Sequence, residues 1–408
     1  MQKQIRWRTF AATWLAYAGF YLARKNFSVL IPLFIADAGL TRATLANAVS
    51  AYSLAYAIGQ FTTGGLADRF GARRVVTAGM QLSVAATAAM GFWFSAIGLL
   101  VLQVANGFAQ STGWPSLVKL MGQTFSHEER GVVMSWWCTC YVLGGLIATV
   151  FATWCVSNAL VLPELGWRRG LWGPACALGV VLAIFLSAIP KLTKRSQTEL
   201  SDHGFNWMQV GLVIRSPKIQ LISVVYTVLK LTRYSFLYWL PLYMTERLRY
   251  SPTEAGYSSS AFEVLGFAGV LVAGYLSDKV FGARRFPVAA LMMSVLALVC
   301  LCYPFLSTFS RLGNLVGIAL IGMMTFGPDA LLGGPGAQDA APPDALATAA
   351  GFINGVGSFG QFVSPMLVVL AVENFGWERL FYLFAALALL GAMLLTLSRA
   401  ERPAVVPA

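Results

Sequence analysis

Charged side chains are scarce in this sequence. Only 11% of the 408 residues are charged, whereas 57% are hydrophobic, and soluble domains carry about 25% charged residues. A soluble globular domain of this composition would have too little polar surface to face water, so that class of protein is excluded. The composition predicts an integral membrane protein whose first partner is the lipid bilayer.

Metal ligands and catalytic groups are also sparse. The two histidines, His127 and His203, fall in predicted loops, and the six cysteines fall in apolar segments. Two pairs of cysteines are spaced i, i+2, which directs them to different faces of a helix, so packing as small apolar side chains explains them. No nucleotide-binding loop and no nucleophile with a neighbouring base is found. We therefore expect no metal, no cofactor and no enzymatic activity.

Long apolar runs are abundant instead. An α-helix needs about 20 residues to cross a hydrocarbon core about 30 Å thick, and runs of that length recur along the whole chain. The sequence therefore predicts an all-α membrane protein. The twelve predicted transmembrane helices are 9–32, 42–65, 75–95, 98–120, 131–155, 167–189, 218–242, 253–277, 286–306, 312–335, 346–368 and 376–397. Proline removes a helical hydrogen bond, so breaks are predicted at Trp114 and Pro115 in the fourth helix and at Pro328 in the tenth.

The distribution of Lys and Arg predicts the topology. The net charge is +12, and most of the loop cations lie in the N-terminus, the even-numbered loops and the C-terminus. Because cytoplasmic loops carry the excess of Lys and Arg, we predict a multi-pass protein of the bacterial inner membrane with both termini in the cytoplasm. The charge is a topology signal, so no nucleic-acid partner is expected.

An internal repeat of about 210 residues divides the chain. The segment "GGLADRFGARR" returns as "GYLSDKVFGARR", which places Asp68 and Asp278 210 residues apart, and "GWRR" returns as "GWER". Six spans followed by six in the same orientation is a plan in which the substrate binds near the bilayer midplane between two halves. The predicted segments are an N-terminal six-helix bundle at 1–189, a cytoplasmic linker at 190–217 and a C-terminal six-helix bundle at 218–408, with the bundles related by a pseudo-twofold axis.

Two matching spans carry cations in their middle. Each has a polar stripe with the helical spacing i, i+4, i+7: the first stripe is Tyr17, Tyr21 and Arg24, and the second stripe is Tyr226, Lys230 and Arg233. An arginine at a helix centre costs about 2.5–3.5 kcal/mol on insertion scales, so it faces water, a partner or a ligand. Two guanidinium forks suit a doubly charged tetrahedral oxyanion. The alternative is that buried carboxylates neutralise the arginines, and Glu263 and Asp329 are the acidic residues that lie away from the ends of the spans.

The sequence resembles the major facilitator superfamily (MFS) and, within it, the organophosphate:phosphate antiporters, over nearly the whole chain. The repeated Asp-containing motif is similar to the loop 2–3 motif of the superfamily. More specific are "YLARKNFSVLIP", "GWPSLVKL", "LTRYSFLYWLP", "SAFEV" and "FGPDALLG". The resemblance implies the MFS fold and a monomer that exchanges a small phosphorylated anion, such as a sugar phosphate or glycerol phosphate, for inorganic phosphate by alternating access.

The resemblance also implies a binding site with departures from the family pattern. Arg24 and Arg233 match phosphate-binding residues, but Gln60 replaces a lysine, Tyr141 a histidine, Tyr238 the acidic partner of Lys25, and Asp329 an uncharged residue. We expect Lys230 to supply the charge missing at Gln60, and the departures leave the substrate's identity open. The predicted substrate-binding residues are Tyr17, Tyr21, Arg24, Lys25, Gln60, Tyr141, Lys230, Arg233, Tyr238, Glu263 and Asp329.

The resemblance of the repeated motif to the loop 2–3 motif of the superfamily implies a cytoplasmic gate. A carboxylate after the second helix of each half can cap a helix and pair with arginines, and an exposed turn that only sets topology is the alternative. The predicted gating residues are Asp68, Arg69, Arg73, Asp278 and Arg284.

Two other functions stay open at this stage. A membrane receptor for a phosphate ester would have the same basic site without flux. A proton-coupled MFS transporter of another organic anion is favoured by Asp329 and Gln60.

Overall fold

The structure, a computed structural model, describes residues 2–125, 127–158, 162–189, 207–282, 284–340 and 346–398. These residues are helical, with no strand among them, and the all-α prediction is confirmed. The helices are α1 (Gln2–Ala36), α2 (Arg42–Phe70), α3 (Ala72–Met90), α4 (Ala96–Ser111), α5 (Gly113–Thr124), α6 (His127–Ser157), α7 (Arg169–Ala188), α8 (Trp207–Arg215), α9 (Pro217–Glu246), α10 (Pro252–Ser259), α11 (Ala261–Tyr275), α12 (Arg285–Phe309), α13 (Arg311–Gly333), α14 (Pro335–Ala340), α15 (Leu346–Phe375) and α16 (Trp377–Leu397).

Each of the twelve predicted spans coincides with one of these helices or with a broken pair of them. Within the described ranges, seven helices are long and apolar enough to cross a membrane by length and composition alone. Helices α1 and α9 are not among the seven. They carry the two stripes, whose cations lower the hydropathy of their helices.

Hydroxyl side chains begin several of the helices. The Oγ atoms of Thr41, Ser95 and Ser310 accept hydrogen bonds from the third backbone N–H that follows each of them. Ser251 and Glu254 form a reciprocal capping box at the start of α10. These caps satisfy N–H groups that a helix cannot bond internally, so they set where α2, α4, α10 and α13 begin after short turns.

The chain folds as two compact units. The first unit comprises Met1–Phe205, Ser235–Glu263 and Phe362–Val369, and the second unit comprises Asn206–Tyr234, Val264–Gln361 and Leu370–Ala408. An apolar core in the first unit packs α1 against α5, α6 and α7. In the second unit, apolar residues of α9, α12 and α16 form a core. The division into 1–189 and 218–408 stays a prediction, and residues 190–206 of the linker lie outside the described part of the chain.

Both copies of the repeated motif contain a glycine with positive φ, although the copies differ in length. Gly71 and Gly282 both have positive φ, 87° and 60°, a region that glycine adopts without steric cost. The second copy has one extra residue between its aspartate and this glycine. A π-helical turn at Leu276–Val280 takes up that residue, with the N–H of Phe281 bonded to the carbonyl of Leu276 at 2.9 Å.

Helix interruptions differ in part from those that the sequence predicts. The fourth span is broken at Thr112, between α4 and α5, just before Trp114 and Pro115, where the sequence predicts the break. The predicted break at Pro328 is wrong, because α13 continues through it. Long membrane helices tolerate an internal proline since neighbouring groups satisfy the freed carbonyl.

Candidate substrate-binding site

Arg24 lies in α1 within a set of neutral polar and aromatic groups. It is buried, and its Nε donates to Oε1 of Gln110 at 2.8 Å. Its guanidinium carbon is 4.7 Å from the ring centre of Tyr21 and 4.9 Å from that of Tyr56. The hydroxyl of Tyr52 donates to the same oxygen of Gln110 at 2.9 Å. An amide and cation–π contacts therefore orient the guanidinium in the first unit.

Gln110 is itself held by a hydrogen-bonded network of α1, α3 and α4. Its Nε2 donates to Oδ1 of Asn106 at 3.3 Å, and Ser83 donates to that same oxygen at 2.6 Å. Asn106 in turn donates to the carbonyl of Ala23 at 2.8 Å. Gln110 is not among the site residues predicted from the sequence. A signal is present, since Gln103, Asn106 and Gln110 are spaced i, i+3, i+7 in an apolar run and so share a helical face.

Lys25 pairs with a carboxylate, unlike its neighbour Arg24. Its Nζ is 2.7 Å from Oε1 of Glu263, with both side chains buried, and it donates to the carbonyl of Leu237 at 3.3 Å. Tyr238 stands where the resemblance implies an acidic partner for Lys25, and α11 supplies Glu263 as the partner instead. Tyr238 is buried, and its backbone carbonyl accepts a hydrogen bond from Ser28 at 3.2 Å.

The other predicted residues of the first unit lie near aromatic or backbone groups. The ring of Tyr17 is buried 5.1 Å from the ring of Trp114, in the apolar core. Tyr141 packs partly buried against the same core. Gln60 donates to the carbonyl of Ser111 at 3.4 Å. Of the first stripe, then, Tyr21 contacts Arg24 while Tyr17 belongs to an aromatic cluster.

In the second unit, Lys230 is bonded to neutral oxygens of α15. Its Nζ donates to Oδ1 of Asn354 at 2.5 Å, to the carbonyl of Asn354 at 3.2 Å and to Oγ of Ser358 at 3.2 Å. It also lies 5.2 Å from the ring centre of Tyr226. Asn354 and Ser358 are not predicted from the sequence, although their spacing of i, i+4 inside an apolar span places them on one face.

Arg233 is bonded to a carboxylate. Its Nη1 is 3.0 Å from Oδ2 of Asp329, and both residues are buried. The guanidinium carbon also lies 4.4 Å from the ring centre of Phe326. Neutralisation by a buried carboxylate, the alternative considered for both arginines, therefore applies to Arg233.

The predicted cations thus fall into two kinds. Arg24 and Lys230 are oriented by amide, hydroxyl and aromatic groups, whereas Lys25 and Arg233 form buried ion pairs. A buried ion pair has little net charge to offer a ligand, and separating it leaves uncompensated charges in a low dielectric. An anion at Lys25 or Arg233 would therefore meet a carboxylate beside the cation.

At the predicted gate of the first unit, Arg73 bonds to backbone carbonyls. Its Nε donates to the carbonyl of Ile189 at 2.6 Å, and its Nη2 donates to that of Leu186 at 3.0 Å. A cation at the end of α7 complements the helix dipole. The side chains of Asp68 and Arg69 lie outside the described part of the structure.

At the predicted gate of the second unit, Asp278 pairs with Arg285. Nη1 of Arg285 bonds to Asp278, while its Nε is 3.2 Å from Oδ2 of Asp339 in α14. Arg284, which is predicted as a gating residue, is exposed, and its carbonyl accepts from Ser277 at 3.4 Å. Arg285 is therefore the arginine that the structure places against Asp278.

The profile of the Major Facilitator Superfamily matches residues 13–365 of this sequence. The chain belongs to the Major Facilitator Superfamily. As an MFS protein it is an integral multi-pass membrane protein of a transporter family and not an enzyme.

Characterised MFS relatives cover almost all of the chain. A glycerol-3-phosphate transporter of Bacillus subtilis is 26% identical over 97% of this chain and 93% of its own length. The membrane sensor protein UhpC of Escherichia coli is 28% identical over 94% and 89%, and a glucose-6-phosphate exchanger of Danio rerio is 28% identical over 85% and 77%. These relatives confirm the predicted resemblance to the organophosphate:phosphate antiporters.

A solved structure confirms the MFS fold. A bacterial homologue of the human lysosomal transporter Spinster, in an inward-facing and unoccupied conformation, has a TM-score of 0.75 over 96% of this chain and 94% of that chain. Its sequence identity is 14%, so this likeness concerns the fold alone.

Proposed function

We propose that this protein exchanges a small phosphorylated organic anion, such as a sugar phosphate or glycerol phosphate, for inorganic phosphate by alternating access. The relatives named for glycerol-3-phosphate and glucose-6-phosphate support this class of cargo. The bacterial relatives support an inner-membrane location. The charge distribution favours cytoplasmic termini, and a monomer without nucleic-acid partners is sufficient for this function.

The observation that carries the proposal is the environment of Arg24. Its fork is fixed by Gln110, Tyr21 and Tyr56, so its orientation is set before an anion arrives. Planar guanidinium donors match phosphate oxygens in pairs, and such charge-assisted bonds are strong where water is excluded. A preoriented, buried arginine of this kind suits a phosphoryl group better than a monovalent carboxylate.

The coupling of binding to movement follows from electrostatics. Buried cations from both repeats cost free energy until an anion offsets their charge. A carrier that reorients more readily with its anion bound will exchange one anion for another, because any such switch requires different affinities for its two states. We expect Arg24 of the first stripe to bind the phosphoryl group of the substrate. Lys230 and Arg233 of the second stripe stay predicted substrate-binding residues.

The test is exchange of labelled inorganic phosphate into phosphate-loaded proteoliposomes. We expect the wild type to exchange phosphate and both Arg24→Ala and Arg24→Lys to lose at least about tenfold in rate, since lysine keeps the charge but not the paired donors. Arg379→Ala, which removes an exposed arginine at the start of α16, is the matched control and is expected to exchange normally. Wild-type activity retained by Arg24→Ala would contradict the proposal.

A membrane sensor is the second candidate, because UhpC is among the similar proteins. A sensor would bind a phosphate ester but move little of it. Binding measured by thermal stabilisation of the purified protein, compared with flux in proteoliposomes, separates the two functions. Stabilisation by an ester without exchange would favour the sensor.

A further inference from the structure

Asp329 has one bonded and one unbonded carboxylate oxygen. Oδ2 is 3.0 Å from Nη1 of Arg233, whereas Oδ1 is buried and has no hydrogen-bond partner among the residues that the structure describes. The residue is only 4% exposed. A buried carboxylate oxygen is stable only when a donor reaches it in some state of the protein. Since a carboxylate accepts hydrogen bonds and donates none, Oδ1 requires a donor.

The surroundings of Asp329 belong to the second stripe. Gly333 lies one turn after Asp329 in α13, and a Cβ there would come within 2.7 Å of the hydroxyl of Tyr226. From α15, a Cβ on Gly357 would come within 2.5 Å of the same ring and 3.2 Å of Cδ of Lys230. Helices α13 and α15 therefore approach the face of α9 that carries the stripe. The Lys230 ammonium of α9 and the Asp329 carboxylate of α13 therefore belong to adjoining helices.

We propose that Asp329 selects the organic part of the substrate and restricts it to phosphate monoesters that bear hydroxyl or ammonium donors. A hydroxyl or ammonium group can donate to Oδ1. A phosphorylated carboxylic acid brings a second anion to the same place, where it meets a like charge in a poorly screened environment. The inference rests on the proposed function, because it names the substrate class of that site.

Because Arg233 pairs with Asp329, the two cations of the second stripe have different roles in this proposal. Arg233 is already bonded to Asp329, so its charge is offset within the protein. Lys230 is held by the neutral oxygens of Asn354 and Ser358, which orient an ammonium without neutralising it. In this proposal Lys230 contacts the phosphoryl group, and the Arg233–Asp329 pair contacts the rest of the ester.

The test uses two competitors that differ at one carbon. Glycerol 3-phosphate ends in a hydroxymethyl group where 3-phosphoglycerate ends in a carboxylate. In the phosphate-exchange assay we expect glycerol 3-phosphate to compete at a concentration about tenfold or more below that of 3-phosphoglycerate. In Asp329→Asn the ratio between the two competing concentrations is expected to fall to about threefold or less, because 3-phosphoglycerate gains affinity. Phosphoethanolamine, with an ammonium donor, is expected to lose affinity in the same variant.

Three further variants control for charge and folding. Asp329→Glu keeps the carboxylate and is expected to keep the wild-type preference. Asp339→Asn removes a carboxylate from α14, where it pairs with Arg285, and is expected to leave the preference unchanged. Arg233→Gln combined with Asp329→Asn leaves no unpaired buried charge, so this double variant tests the preference if Asp329→Asn alone does not fold.

Thermal stabilisation of the purified protein by the same two esters provides a readout that does not need transport. If the wild type exchanges no phosphate but the esters stabilise it in an Asp329-dependent order, the exchange proposal fails and this inference holds. An unchanged order of esters in folded Asp329→Asn overturns the inference. If this variant with an unchanged order of esters has also lost the response to a pH gradient, Asp329 is a proton-binding group instead.

Discussion

Arg24 and Arg233 are matching residues of two repeats that meet different kinds of oxygen. Arg24 donates to an amide oxygen of Gln110, and Arg233 to a carboxylate oxygen of Asp329. The amide orients its arginine and leaves the charge in place, whereas the carboxylate orients and neutralises. The two repeats therefore place chemically different acceptors against their matching arginines.

Gln110→Glu converts the first arrangement into the second. We expect phosphate exchange to fall by at least about tenfold, because the new carboxylate offsets the charge of Arg24 and repels phosphate. Gln110→Leu removes the acceptor without adding a charge, and it should cause a smaller loss. The measurement is the initial rate of labelled phosphate exchange as a function of phosphate concentration. Equal losses in the two variants would show that Gln110 only supports the fold.

The Lys25–Glu263 pair gives a prediction about stability. Removal of one partner leaves the other buried and unpaired, which costs about 3–5 kcal/mol, whereas removal of both costs less. We expect Lys25→Met and Glu263→Gln each to lower the thermal unfolding temperature in detergent, and the double variant to recover part of the loss. A double variant whose loss equals the sum of the single losses would mean that the two charges do not stabilise each other.

At this scale the sequence predicts the cations better than their partners. Arg24, Lys25, Lys230 and Arg233 stand out because a charge in an apolar run is costly and is kept for a reason. Their partners come from helices far along the chain, such as Gln110, which is 86 residues from Arg24. Helical spacing gives the face of one helix, but it does not give the helix that packs against that face. The assignment of Glu263 to Lys25 shows the same limit.

Among the helices, α2 and α4 pack closely enough to involve the backbone. A Cβ on Gly107 of α4 would lie 2.2 Å from the carbonyl oxygen of Tyr52 in α2. Tyr52 is the residue whose hydroxyl bonds to Gln110. The spacing between these two helices therefore fixes the groups that orient Arg24.

Gly107→Ala should separate α2 from α4. We expect a lower thermal unfolding temperature and slower phosphate exchange, because the methyl group clashes with backbone that cannot rotate away. Gly179→Ala in α7 is the matched control, since a Cβ there meets nothing within 4 Å. Alanine favours a helix by about 1 kcal/mol over glycine, so the control should be neutral or slightly stabilising. Equal behaviour of the two variants would contradict the close packing.

Helix positions were predictable because their cause is local. Apolar length, capping hydroxyls and glycines with positive φ all act within a few residues. The continuation of α13 through Pro328 was not predictable, because it depends on neighbouring groups that satisfy the freed carbonyl. The break at Ser260, between α10 and α11, was also not predictable, because no proline lies at that position.

For the whole molecule, the distribution of cations predicts which loops face the cytoplasm. A cysteine placed at Ser201 in the predicted linker should be protected in intact cells from a membrane-impermeant maleimide and should react after the membrane is opened. Asp37→Cys, in the exposed turn after α1, should react in intact cells. The wild-type protein gives the background from native cysteines. The opposite pattern would reverse the topology that the positive-inside rule predicts.

The class of the molecule was predictable from composition and repetition. The predicted all-α membrane protein with the MFS fold is confirmed by the family match. The cargo follows less directly, since chains of this fold carry different functions on the same helices. A sensor and an exchanger are equally similar to this chain, at 28% identity each. Identity at this level therefore does not separate transport from sensing, and flux has to be measured.

The π-helical turn at Leu276–Val280 bears on how the two halves diverged after duplication. An inserted residue is usually tolerated in loops, yet here it is accommodated inside a helix. Gly71 and Gly282 are 211 residues apart, whereas the flanking aspartates are 210 apart and so are Gly166 and Gly376. A compensating loss of one residue must therefore lie between these landmarks. An ungapped alignment of the halves would misplace every ancestral correspondence in that interval, including the arginine that pairs with Asp278.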